Sequence, residues 1–361
     1  MVMIEIDGSM GEGGGAVLRT ALALGAVSQR PVHIYNIRAK RAKQGLQPQH
    51  LRGVEALAKL TNARIEGANL NSTELTFEPM TIEGGKYNID IGTAGSTTLI
   101  LQILMPATAF ASKPVEVEIC GGSDNPMAPP IDFMKNVTLP TLQKMGYRGE
   151  VGCVRRGHYP RGGGIVQARI EPIEKLQALM LTEPGKVVNI SGLAHCVRLP
   201  PHIATRIAHA ASKALVKAGY SRVQIKTESY SPAQDPHLGP GAGITLWVRT
   251  NSGAILGSSS LGRPGKPAEQ VGREAARSLI EQLKTGCAVD LNLTDQLVLY
   301  LAMAEGTSEI TSAELTSHTL TNVALVEQIL GVKFEVRGQQ GQPGRIRVEG
   351  LGLHPGRPVT I

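Results

Sequence analysis

Residues 316–322 read TSHTLTN, one histidine among hydroxyls and a terminal amide, with the apolar run ALVEQIL close behind. A neutral imidazole is a competent nucleophile toward phosphorus, and a phosphoramidate hands its group on readily. At a helix start, backbone N–H groups would also stabilise a phosphoryl group in transfer. A histidine met alone reads equally as a surface imidazole, so His318 needs partners. The stretch GSMGEGGG (residues 8–15) follows an apparent strand, MIEID, and opens a helix, which aims free N–H groups at an anion. It lacks the Gly-Lys-Ser/Thr of a Walker A loop. Gly11, Gly13 and Ala16 fit the dinucleotide fingerprint, but the following strand leads to Arg38 and not to an acidic ribose ligand. Glu12 is the unusual member, because a carboxylate inside an anion nest makes chemical sense when a cation bridges it to phosphates; the alternative is a solvent-facing turn residue. Arg38, Lys40, Arg41 and Lys43 lie within one short segment, a phosphate footprint or a solvated turn. Asp and Asn side chains of the segment Ser123, Asp124, Asn125 could fix the tautomer of His318. His195, Cys196, His202 and His209 do not have zinc spacing and read as a polar helix face.

Three related stretches must position these residues. GEGGGAVLRTALALGAVSQRPVHIYNI, GTAGSTTLILQILMPATAFASKPVEVEI and the more worn NLTDQLVLYLAMAEGTSEITSAEL each give a turn, a helix and a strand. Each leads into a second helix and a strand pair, with helical spacing (Val54, Leu57, Leu60; Val323, Val326, Leu330) yielding to alternation. The expected fold is therefore mixed α/β (α+β): three repeated split β-α-β-α-β-β units forming a large domain, residues 1–183 and 286–361. Residues 184–285 break the period between units two and three and read as an inserted small α/β domain of order β-α-β-β-α. The loop SPAQDPHLGPGAG between its strands is expected to be mobile. The segments after the second strand of each unit, carrying Arg38 to His50, Ser123 to Asn125, and His318, should lie at equivalent sheet ends.

Net charge is +7 and aromatic residues make up 3%, so a nucleic acid would be held through phosphates and ends more than by base stacking. The four cysteines form no CxxC pair, which points to reduced thiols and a cytoplasmic protein. No apolar run has membrane-spanning length and the start has no signal-peptide pattern.

With these residues assembled, the chain resembles the RNA 3′-terminal phosphate cyclase family along nearly its full length. The resemblance rests on DGSMGEGGGAVLRTALAL, IRAKRAKQGLQPQHL, IGTAGSTTLILQ, GGSDNPMAPPIDF, GHYPRGGG, LGRPGKPAEQVG, TDQLVLYLA and SHTLTN, in that order. It implies an ATP-dependent enzyme in which His318 attacks the α-phosphorus of ATP, becomes adenylylated and passes AMP to an RNA 3′-phosphate. The neighbouring 2′-hydroxyl then closes a 2′,3′-cyclic phosphate and releases AMP. It also implies that Glu12 holds a divalent metal (Mg²⁺ or Mn²⁺), and that Arg19, Arg38, Arg41, Gln49 and His50 bind phosphates. Gln102 and Asp295 would complete the nucleotide site, with Pro129 and Phe133 walling the adenine pocket. Asn292 stands where some members carry an aromatic residue, which loosens adenine stacking on that side. The implied partners are ATP and RNA with a 3′-phosphate end, with no membrane and a homodimer left open. Two other classes compete: family relatives that act as RNA-binding factors in ribosome assembly, and enolpyruvyl transferases of related fold. The joint presence of His318, Glu12 and Arg19 argues for the cyclase.

An insert helix carrying Arg206, Lys213 and Lys217 offers a basic face that could hold RNA backbone or be plain solvated surface.

Overall fold

The computed structural model describes residues 3–356. Its first unit runs β1 (Ile4–Asp7), α1 (Gly15–Ser28), β2 (Val32–Tyr35), α2 (Pro48–Leu60), β3 (Arg64–Glu66) and β4 (Leu75–Glu78). The second runs β5 (Gly85–Asp90), α3 (Thr97–Thr108), β6 (Val115–Gly121), then α4 (Ile131–Phe133), a π-helical turn (Met134–Thr138), α5 (Leu139–Lys144), β7 (Arg148–Arg155) and β8 (Gly164–Glu171). After the short β9 (Met180–Leu181) come β10 (Val187–Val197), α6 (His202–Lys217), β11 (Val223–Glu228), β12 (Gly241–Thr250), β13 (Ile255–Leu261) and α7 (Ala268–Lys284). The chain ends with α8 (Leu291–Met303), β14 (Glu305–Ser312), α9 (Ser317–Leu330), β15 (Phe334–Arg337) and β16 (Gly344–Leu351).

Three sheets share one topology. Their orders are β1-β2-β4-β3, β5-β6-β8-β7 and β9-β14-β16-β15, each with a parallel first pair and antiparallel pairs after it. The mixed α/β expectation holds, and the repeat is structural. In each sheet, alternation supplies the buried face: Val115, Val117 and Ile119 of β6, and Ile346 and Val348 of β16, point into the core. Helices cover that face, and α1 packs on both α3 and α9 while α8 packs on α9, so the three units share one apolar core. α1 is almost wholly buried, as its run ALALGAV requires. The fourth sheet, β11-β10-β12-β13, draws only on strands between Val187 and Leu261 and is backed by α6 and α7.

Three features lay beyond the sequence reading. The third sheet takes its first strand from Met180–Leu181, ahead of the segment that interrupts the repeat, so the interruption falls inside unit three. β13 was not expected, because ILGSSSL lacks apolar alternation; it is buried by α7 packing. The second helix of unit two is broken at the π turn, immediately before Pro140, whose missing N–H removes one rung of the ladder. Among the described residues no helix is long and apolar enough to cross a membrane.

Asp290 joins the fourth sheet to unit three. Its buried carboxylate caps α8 by accepting from the N–H groups of Asn292 (2.9 Å) and Leu293 (2.8 Å), and also accepts from Gly257 N–H of β13 (2.8 Å). Asp290→Ala would strand three donors, two of them without water. The expected loss is about 2–4 kcal/mol, with Asp290→Asn losing less. Urea unfolding followed by far-UV circular dichroism checks this; an unchanged midpoint for the alanine variant would refute the joint.

Candidate active site

The Gly-rich turn between β1 and α1 is shaped by close approach. Gly11 and Gly13 both have φ of 55°, and a Cβ on Gly11 would overlap Thr321 Oγ1 of α9. A Cβ on Gly13, Gly14 or Gly15 would meet, respectively, Lys40 Cγ (2.8 Å), Arg41 Nη2 (2.7 Å) and His50 Nε2 (2.6 Å). Glycine therefore lets the basic 38–43 segment and the start of α2 lie directly on the turn. Between them stands Glu12, half-exposed.

α9 begins at Thr316, whose hydroxyl accepts from Thr319 N–H at 3.1 Å, and ends at Gly331 in the left-handed conformation. That cap places His318 in the first turn. Its Nε2 lies 3.0 Å from Glu12 Oε2, Arg41 Nη2 lies 3.2 Å from the same oxygen, and Ser317 Oγ donates to Glu12 Oε1. Desolvation, with Arg19 and Arg41 adding to it, holds the His318 imidazole below its ordinary pKa against the opposing pull of Glu12. At neutral pH the ring is neutral.

Beside this pair opens a cavity of about 930 Å³. Its walls include Arg19 of α1, Arg38 and Arg41 of the basic segment, Gln49 and His50 of α2, Gln102 of α3, Pro129 and Phe133 of unit two, and Asn292 and Asp295 of α8, together with His318. Glu12 adjoins it through His318 and Arg41. The three segments expected at equivalent sheet ends thus meet at one opening.

His50 Nδ1 accepts from Gln47 N–H (3.2 Å), which leaves the ring proton on Nε2, facing Gly15 and Arg19. Burial, reinforced by Arg19 and Arg38, pushes its pKa down to about 3, so it serves as a neutral donor. Burial also lowers Arg19 to about 10, still protonated at neutral pH, and raises Asp295 to about 7 against the pull of Arg19. Gln49 Oε1 accepts from Ser96 N–H of α3 (3.0 Å), tying units one and two. Arg38, in the left-handed region (φ 58°), donates to the carbonyls of Lys43 and Gly45 and so folds the basic segment. Thr98 Oγ1 donates to Pro129 O (2.7 Å), and Phe133 packs against Gly257 of β13.

Several expectations need correction. Asp124 does not orient His318: it is buried against Ser123, Arg156 and His195, and Glu12 holds the histidine instead. His195 is not on a helix face; it sits in β10, fully buried, while His202 and His209 are exposed on α6. The 231–243 loop is anchored: Arg198 N–H and Nε bond Asp235 and the His237 carbonyl. Arg206 is paired with Glu269 of α7 at 2.7 Å, which leaves Lys213 and Lys217 as the cations of that basic face with no ion pair among the described residues. Residues not singled out from sequence also contribute. Ser259 of β13 lines the cavity from the inserted segment. Asn322 accepts from Thr20 Oγ1 (3.1 Å) and donates to Asp295 O (2.9 Å), locking α9 to α1 and α8. Asn322 stands four residues after His318 in the quoted SHTLTN, so the helical period alone could have found it.

Comparison with known proteins decides the relationship. The sequence profile described as RNA 3′-terminal phosphate cyclase matches residues 10–336. The chain belongs to that family. A protein of Methanopyrus kandleri named RNA 3′-terminal phosphate cyclase is 47% identical over 352 residues, 98% of this chain and 100% of its own length. Proteins of the same name from Ignicoccus hospitalis (47% identical, 97% of this chain, 99% of the relative) and Pyrobaculum aerophilum (48%, 97% and 99%) are equally similar. With membership comes the class: this family member is an enzyme.

The burial of His50 has a pH signature. Between pH 6.5 and about 3 the unfolded chain binds a proton that the folded protein refuses, so this residue lowers stability as pH falls through that window. Asp295, raised to about 7, acts in the opposite direction between its ordinary value and 7, since there the folded state binds more protons. His50→Gln should therefore flatten the loss of stability below pH 6.5 relative to wild type, measured by urea midpoints across pH 4–8. By NMR, the His50 ring should stay neutral down to pH 4; titration near 6 would refute its buried, donor state.

Proposed function

We propose that this enzyme activates RNA 3′-phosphate ends through a covalent His318–AMP intermediate and closes them to 2′,3′-cyclic phosphates. The observation that carries the reading is His318 itself: a neutral imidazole in the first turn of α9, with a carboxylate 3.0 Å from Nε2, beside an arginine-lined cavity. A phosphate monoester has no adequate leaving group for attack by a 2′-hydroxyl, so activation must come first. In the first step a P–N bond forms between His318 and the α-phosphorus of ATP while the P–O bond to pyrophosphate breaks. Glu12 lies where it can accept the ring proton released as that bond forms. Arg19 and Arg41 offset the triphosphate charge, His50 Nε2–H donates to a phosphate oxygen, and the free N–H groups of α9 face the group in transfer. The RNA 3′-phosphate oxygen then displaces histidine from AMP, and 2′-hydroxyl attack on the RNA phosphorus expels AMP.

Glu12, a hard oxygen donor on a phosphate cradle, fits a divalent cation such as Mg²⁺ or Mn²⁺, which when bound would neutralise phosphate charge there. Pro129 and Phe133 are suited to wall the base, with Asn292 in place of a stacking ring opposite. We assign this chemistry to residues 1–183 and 286–361, with 184–285 as an inserted domain that reaches the cavity at Ser259. A binding factor without catalysis would have no use for a nucleophile kept neutral against an adjacent carboxylate.

With α-labelled ATP and magnesium, wild-type protein should retain label and gain the mass of one AMP, and His318→Ala should do neither while keeping its fold. A His318→Ala variant that still cyclises 3′-phosphate RNA would remove the nucleophile assignment. Glu12→Ala should slow self-adenylylation at least 100-fold, the scale of losing a transition-state electrostatic contact. Starting from pre-adenylylated RNA, ring closure should suffer far less; equal losses would sink the assigned role.

A further inference from the structure

A second cluster of functional groups lies outside the cavity, where unit two meets the fourth sheet. Asp124 follows β6, His158 follows β7, and His195 is near the end of β10; one donor atom from each falls within 4.8 Å of the others. His195 is wholly inaccessible and neither ring nitrogen has a hydrogen-bond partner, and His158 Nε2, also buried, has none. Leaving a buried polar group unpartnered costs about 1–3 kcal/mol, so three such nitrogens on two neighbouring rings need an explanation.

His237, in the loop that follows β11, carries a further buried nitrogen. Its Nδ1 is 2.7 Å from Asp235 Oδ1, which fixes the ring proton on Nδ1 and leaves a lone pair on Nε2, buried and unpartnered. Asp235 is held in turn by Arg198 N–H at 2.6 Å. A carboxylate that orients a histidine through its far nitrogen is the usual outer support of a metal ligand.

Charge points the same way. Arg156, buried, contacts three carboxylates: Asp124 (3.1 Å), Asp132 (2.8 Å) and Glu228 (2.8 Å). One guanidinium cannot balance three carboxylates in a medium that disfavours unpaired charge.

We propose that Asp124, His158 and His195 bind a divalent transition-metal ion, zinc by the chemistry of the donors. Imidazole nitrogens with one carboxylate suit Zn²⁺ and not Mg²⁺ or Ca²⁺. His195 Nε2 and Asp124 Oδ1 are 3.9 Å apart; bonds of about 2.0–2.2 Å require the side chains to draw in by roughly 1 Å or less. The ion would tie the inserted segment to unit two. It would also fix Asp124, and with it Asn125 and the run to Pro129 and Phe133 on the cavity wall. This site is independent of the cation that Glu12 would hold.

Elemental analysis of the full-length protein, expressed with zinc and passed over a chelating resin without nucleotide, should find about one zinc per chain. Glu12→Gln should keep that zinc, and His158→Gln and His195→Gln should lose it. Cobalt in place of zinc should give the intense visible bands of a tetrahedral nitrogen–oxygen site. Should the histidine variants fail to fold, wild type decides alone: added zinc should raise Tm by several degrees over chelator-treated protein. Absence of both stoichiometric metal and a Tm shift would overturn the proposal, as would retention of zinc by a folded His158→Gln, His195→Gln double variant.

Discussion

Backbone contact between the turn at Gly11 and the flank of α9 is the constraint on which the candidate site rests. There is no room for a side chain at Gly11, since Thr321 Oγ1 occupies that space. The contact brings Glu12, near one end of the chain, to 3.0 Å from His318, near the other. Thr20 of α1 and Asn322 of α9 add a second join, a side-chain hydrogen bond between the two helices. Each of these residues belongs to a different repeat from its partner, so His318 and Glu12 exist as a pair only when units one and three are packed. Unit two closes the opposite wall through Gln49 and Ser96.

The electrostatics of the cavity follow from this assembly. Arginines and a helix terminus gather in a space that is partly dry, and burial weakens their proton affinity without removing their charge: Arg19 falls only to about 10. The same dryness keeps His50 and His318 neutral. A basic site with neutral histidines is what an anionic substrate and an attacking lone pair both require.

Much of the architecture was legible because it repeats: a glycine turn, an apolar helix and a proline-led strand recur, and period and alternation are local properties. His318 could be placed at a helix start because Thr316 is a good cap and Gly331 a good stop. Other parts could not be read locally. β9 is two residues long and gains strand identity from pairing with Glu309 and Ile310. β13 is a serine run that owes its burial to α7. Asp124 and Asn125 are adjacent in sequence, yet Asn125 reaches the cavity while Asp124 turns to Arg156, and only the tertiary fold distinguishes them. Ser259 carries no motif at all. It reaches the cavity because β13 lies along the π turn of unit two.

The early position of β9 bears on how the chain is made. During synthesis Met180 and Leu181 emerge long before the strand they pair with, and the whole fourth sheet with both its helices is translated in the interval. At typical elongation rates that wait is on the order of ten seconds, ample for units one and two and the intervening segment to form their own sheets. In the nascent protein β9 therefore waits without its partner strand until the final stretch arrives. α9 is part of that stretch, so His318 is among the last residues to find its neighbours. A chain cut short before Ser317 would present the arginine-lined half of the cavity without the histidine proposed to take up AMP.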